Sequence, residues 1–132
     1  MKQQIAHIAL LVNDYDEAIA FYTKKLHFTL IEDTVLSDTK RWVIIAPKDS
    51  AGCNLLLAKA ATDEQKSRVG NQTGGRVFLF LHTDDFKSYY QHLLNNEVKI
   101  IRPPVAELYG TVAVFADLYG NLWDLIEPVK ND

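Results

Sequence analysis

Three polar side chains stand out because they sit in apolar, strand-like surroundings. His7 lies in the run Ile5–Val12, Asn54 opens Asn54–Ala58, and Asp124 is set among Leu122, Trp123, Leu125 and Ile126. A carboxylate in such a place is costly to bury alone, so Asp124 has either a hydrogen-bonding partner or a chemical task. An imidazole beside a carboxylate makes an acid–base pair that titrates near neutral pH. His7 and Asp124 are therefore the candidate catalytic residues. Asn54 is a candidate polar contact to a substrate, and Phe78, Phe80, Trp42 and Tyr109 are candidate walls. His82 shares strand parity with Phe78 but lies four residues on, roughly 13 Å at about 3.3 Å per residue. It serves the same point in space only if the strand bulges. His27 and His92 read as surface residues flanking helices, and Cys53 as an inert buried thiol.

The elements that must position these residues follow from hydrophobic periodicity and turn chemistry. Residues 5–12 read as a strand. Asn13-Asp14 offers a helix N-cap, and 15–25 reads as a helix with Ala18, Ile19 and Tyr22 on one face. Strands are expected over 27–35, 41–46 and 53–58. Residues 59–74 are polar, with Thr62-Asp63-Glu64 as a helix start, and read as a short helix and connector. The order then recurs: a strand over 77–83, Asp84-Asp85 as a cap, a helix over 86–95 and a strand over 98–101. Arg102-Pro103-Pro104 should break that strand, leaving Tyr109-Gly110 in a loop. Strands over 111–116 and 122–127 follow, with a turn at Leu118–Asn121 between them.

Sliding the chain on itself by 71 residues lays Asp14-Tyr15 over Asp85-Phe86, and by 70 lays Asn54-Leu55-Leu56 over Asp124-Leu125-Ile126. This internal repeat pairs His7 with Phe78 and Asn54 with Asp124. Strand alternation groups His7, Ala9 and Leu11; Asn54, Leu56 and Ala58; Phe78, Phe80 and His82; and Leu122, Asp124 and Ile126. If the first and last strands of each half are neighbours, the four paired positions can point into one cup. Glu127 has the opposite parity and reads as a surface or edge residue.

A chain of 132 residues is the size of one domain. Its 14 basic residues are scattered among 17 acidic ones, for a net charge of -3. That argues against nucleic acid, which needs clustered cations. No apolar run is long enough to span a membrane. A single cysteine and the absence of a secretion-signal pattern point to the cytoplasm. Neither a phosphate-binding glycine loop nor a nucleophile elbow is present.

The stretch Asp117-Leu118-Tyr119-Gly120-Asn121-Leu122-Trp123-Asp124-Leu125, together with His7-Ile8-Ala9-Leu10 and the helix Ala18 to Leu26, resembles the vicinal oxygen chelate superfamily. Glyoxalases, bleomycin-resistance proteins and extradiol dioxygenases belong to this group. The resemblance covers residues 4–128. It implies an α+β fold in which residues 1–132 form a single domain of two βαβββ modules. These span about 1–60 and 76–128, joined by a connector over 60–75, and form a cupped, mostly antiparallel eight-stranded sheet. It further implies a homodimer, a small-molecule pocket, and a covering loop near Tyr109.

Metal-dependent members of the group carry His, Glu or Gln, His and Glu at the four repeat-equivalent positions. Here those positions hold His7, Asn54, Phe78 and Asp124, and Phe78 cannot coordinate. Two ligands are too few for a dedicated transition-metal site, so no metal and no other cofactor is expected. A bound divalent metal would have to use His7, Asp124 and, through a bulge, His82. The expected function is binding of a small apolar or aromatic oxygenated compound without the standard metal, as in the bleomycin-resistance members. The alternative is a metal-dependent lyase, isomerase or dioxygenase of the same superfamily.

Overall fold

The computed structural model describes residues 1–130. The chain divides into two compact units, Met1–Val69 and the remainder from Gly70, called module 1 and module 2 below. Module 1 runs β1 (His7–Val12), α1 (Tyr15–Ala20), a π-helical turn (Phe21–Lys25), β2 (Phe28–Val35), β3 (Arg41–Pro47), β4 (Asn54–Lys59) and α2 (Asp63–Arg68). Module 2 runs β5 (Val77–His82), α3 (Phe86–Asn95), β6 (Ile100–Glu107), β7 (Gly110–Ala116) and β8 (Leu122–Pro128). The eight strands of the two modules form two four-stranded sheets, in the matching orders β1-β4-β3-β2 and β5-β8-β7-β6. Each sheet has one parallel pairing, first strand to last, and two antiparallel ones.

Local chemistry explains the repeated plan. Asp14 and Asp85 accept from the backbone N–H of Glu17 and Ser88, capping α1 and α3. Both helices lead into a residue with a left-handed backbone, His27 at φ 59° and Glu97 at φ 59°. A buried apolar residue follows each, Phe28 and Val98. The helix expected over 15–25 changes pitch part-way, where the Thr23 hydroxyl donates to the Ile19 carbonyl at 2.7 Å. Such back-bonding competes with the regular helical ladder. The core of each module is the helix-facing side of its sheet: Leu10, Val12, Val43, Ile45, Leu55 and Leu57 in module 1; Leu81, Ala113, Phe115, Trp123 and Leu125 in module 2.

One expectation needs correction. Pro103-Pro104 does not end a strand, because β6 runs through it. As the outermost strand of its sheet, β6 tolerates the lost N–H donors, and its register with β7 slips between Arg102 and Val105 to absorb the prolines. The loop expected at Tyr109 is a two-residue hairpin turn closed by the Glu107–Gly110 pair.

Candidate functional site

The pairing registers show which positions the two modules share. In module 1 Ala9 lies beside Leu56, Leu56 beside Ile44, and Ile44 beside Glu32. In module 2 the corresponding row across the sheet is Phe80, Asp124, Val114 and Arg102. Both rows follow a bulge in the outer strand, between Leu30 and Glu32 and between Ile100 and Arg102. Asp124 is therefore the counterpart of Leu56, not of Asn54. The simple offset of 70 fails because the β3–β4 connection carries two more residues than β7–β8: twelve positions separate Ile44 from Leu56, ten separate Val114 from Asp124.

In module 1 the structure brings His7, Asn54 and Trp42 together. His7 and Asn54 are direct partners in the β1–β4 ladder. Together with Cys53 they line a cavity of about 370 Å³ at the start of those strands. Cys53 is half-buried rather than sealed in the core. The His7 and Trp42 rings meet edge to face, with centroids 5.9 Å apart. That is a favourable aromatic geometry.

In module 2 Phe80 and Asp124 are direct partners. Burial raises the Asp124 carboxyl above its ordinary value, and the charge of Arg102 draws it back in part. Arg102 carries no signal in the sequence, because its position opposite Val114 follows a bulge that only the register reveals. Phe78 falls at a register shift between Val77 and Leu79. It is the extra, unpaired residue of a bulge, so it has no ladder partner on β8, whereas Phe80 pairs with Asp124. That bulge leaves His82 opposite Ile126, two positions beyond Asp124. Tyr109 is an exposed hairpin tip. Glu127 is not an idle edge residue: its carboxylate accepts from the Phe86 N–H at 2.8 Å, closing the first turn of α3.

The Asp117–Asn121 motif has a structural role. One Asp117 carboxylate oxygen accepts from the N–H groups of Tyr119, Gly120 and Asn121, at 2.9–3.0 Å. The other accepts from the Asn121 side chain at 2.9 Å. Both residues are buried. Gly120, at φ 104°, supplies the left-handed step. The turn delivers β8, and hence Asp124, in fixed register.

A second and larger cavity, about 550 Å³, lies in module 1 against Trp42, Leu56, Ala58, Lys59 and Gln65. That volume is within the usual range for small-molecule sites. Metal chemistry finds no matching donors: among the described residues no group of three or more His, Cys, Asp or Glu side chains could hold an ion.

The sequence profile of the Glyoxalase/Bleomycin resistance protein/Dioxygenase superfamily matches residues 4–125. The chain belongs to that superfamily. It is 59% identical over 128 residues to an uncharacterized protein of Shewanella frigidimarina, covering 96% of this chain and 95% of that one. Among solved structures, UcmS2 superposes with a TM-score of 0.83 at 29% identity, covering 96% and 99% of the two chains. TnmS3, an antibiotic binding protein from Streptomyces sp. CB03234, superposes at 0.78 with 25% identity, covering 97% and 98%.

Proposed function

We propose that this superfamily member binds a small apolar or aromatic oxygenated compound and does so without the superfamily's standard metal. The observation that carries this reading is the make-up of module 1's sheet. Trp42, Leu56 and Ala58 line a 550 Å³ cavity, and the His7 ring meets Trp42 edge to face. Asn54 is the ladder partner of His7 and lines the smaller cavity with it, while Thr39, Lys59 and Gln65 are among the polar groups of the larger one. An apolar wall with a few polar groups is the usual composition of a small-molecule site. The likeness to an antibiotic binding protein supports binding over turnover. In module 2, Phe80 and Asp124 with Arg102 nearby offer a second aromatic wall with a charged group beside it.

Metal analysis of protein purified without chelator, followed by thermal-shift screening against aromatic and oxygenated metabolites, tests the reading. Metal below stoichiometry and stabilisation by at least one compound are expected. One tightly held divalent ion per chain, lost in His7→Ala, would instead restore a metal-dependent lyase, isomerase or dioxygenase. The same proposal places the protein in the cytoplasm as a homodimer. No helix among the described residues is long and apolar enough to cross a membrane. The outer strands β2 and β6 expose Leu30, Ile31, Ile101 and Val105 as apolar surface for a second copy. Sedimentation at micromolar concentration decides the oligomeric state.

A further inference from the structure

The large cavity of module 1 exists because two strands come apart where their counterparts stay joined. In module 2, β7 and β8 pair without interruption from Ala116–Leu122 to Gly110–Pro128. In module 1, β3 and β4 pair only from Ile45–Leu55 to Val43–Leu57. The next positions, Trp42 facing Ala58 and Arg41 facing Lys59, are not paired, and all four residues line the cavity. The cause is one residue at the start of the helix. Tyr15 occupies the place of Phe86, and its hydroxyl accepts from the Arg41 N–H at 3.3 Å. That N–H would otherwise belong to the strand ladder. The Arg41 guanidinium lies 5.1 Å from the Tyr15 ring centre. It is also tied to Asp33 at 2.6 Å and to Asp16 at 2.9 Å.

A second exchange fixes the charge of the gap. Counting from the Leu57–Leu125 equivalence, Lys59 stands where module 2 has Glu127, the carboxylate that caps α3. The cavity is lined by Lys40, Arg41 and Lys59 and by no acidic residue, in a chain of net charge -3. Two carboxylates engage Arg41, whereas Lys40 and Lys59 make no salt bridge among the described residues. The Gln65 carbonyl is engaged by the Ala61 N–H, and its amide group adds a donor to the lining. The cavity therefore combines an aromatic and aliphatic floor with two uncommitted ammonium groups.

We infer that this gap takes a small aromatic carboxylate, its ring against Trp42, Leu56 and Ala58 and its carboxylate held by Lys40 and Lys59. The inference rests on the binding reading above and narrows it to one cavity and one charge class. The test is quenching of Trp42 fluorescence by three matched probes, 1-naphthoate, 1-naphthamide and 1-naphthylmethylammonium. The full chain is used, with Trp42→Phe as the control that assigns the signal. Naphthoate should bind about tenfold more tightly than the amide, the equivalent of one charge-assisted hydrogen bond, and the ammonium probe most weakly. The preference should vanish in Lys40→Gln/Lys59→Gln and shrink as salt is raised, while the melting curve of that variant stays cooperative. Equal binding of acid and amide, or a preference that survives the double change, overturns the inference and leaves the binding reading intact. So does metabolite binding that never perturbs Trp42. If no probe and no metabolite binds at all, both fall together.

Discussion

Modules 1 and 2 share a sheet order, a capped helix and a left-handed exit residue, yet they have gone opposite ways where the last two strands pass the start of the helix. Module 1 keeps His7 beside Asn54, separates β3 from β4 and lines the gap with lysine. Module 2 pairs β7 with β8 over their whole length, spends a glutamate on the helix start, and sets Asp124 beside Phe80 with Arg102 close by. Duplication copied the scaffold, which depends on apolar alternation and caps. The divergence lies in a few side chains at the helix start and the strand ends, Tyr15 and Lys59 against Phe86 and Glu127. The Tyr15 hydroxyl, which Phe86 lacks, accepts from a strand N–H at the edge of the cavity.

The comparison breaks most visibly in the core. Leu57 and Leu125 are its matched centres, 1% and 0% exposed. Leu57→Ala and Leu125→Ala should each cost about 2–5 kcal/mol in urea unfolding, the usual range for buried leucine. A negligible loss at either position would show that the two modules are not equivalent there.

The turns into the last strands should differ more. Asp117→Ala removes the acceptor of the Tyr119 and Asn121 N–H groups and of the Asn121 amide, while the Gly120 N–H keeps the Asp117 carbonyl, and should cost about 2–3 kcal/mol. In module 1, Ser50→Ala removes only one exposed bond, to the Gly52 N–H, and should stay within about 0.5 kcal/mol. Equal losses would mean that the two turns carry the same burden.

Next comes the exchanged pair. Glu127→Ala leaves the Asp85 cap in place but removes the acceptor of the Phe86 N–H and should cost about 1 kcal/mol, whereas Lys59→Ala should leave stability unchanged within about 0.5 kcal/mol. Thermal denaturation of both variants checks this. A clear destabilisation by Lys59→Ala would give that lysine a structural role and weaken the case for a ligand.

The smallest effect concerns Asp124. Its carboxyl is raised by burial, so its favourable contribution to stability is complete below the ordinary aspartate range and is lost as pH rises through the raised value. Asp124→Asn should match the parent near pH 3, below the ordinary value of about 3.9, and be slightly more stable at neutral pH. A variant less stable at neutral pH would show that attraction to Arg102 outweighs burial.

By itself the sequence determined the α+β plan, the repeat and nearly every element. These rest on local signals: alternation, the caps Asp14 and Asp85, and the turn residues Gly120 and Asn121. The same signals place His7 and Asn54 at or near the starts of the first and last strands of module 1, and only the register shows that the two are direct partners. Register was beyond them. A bulge adds one residue without altering apolar alternation enough to be seen, so the sequence could not reveal that Phe78 is unpaired and that Phe80 meets Asp124. Nor could it show that two extra loop residues set Leu56, not Asn54, against Asp124. Proline in β6 was misread because whether a strand lies at an edge is a property of the sheet, not of the strand. The cavity in module 1 was the least legible feature. It depends on a hydrogen bond between Tyr15 and Arg41, 26 positions apart in the chain, and only the folded structure decides which side chain reaches a strand's N–H before the neighbouring strand does.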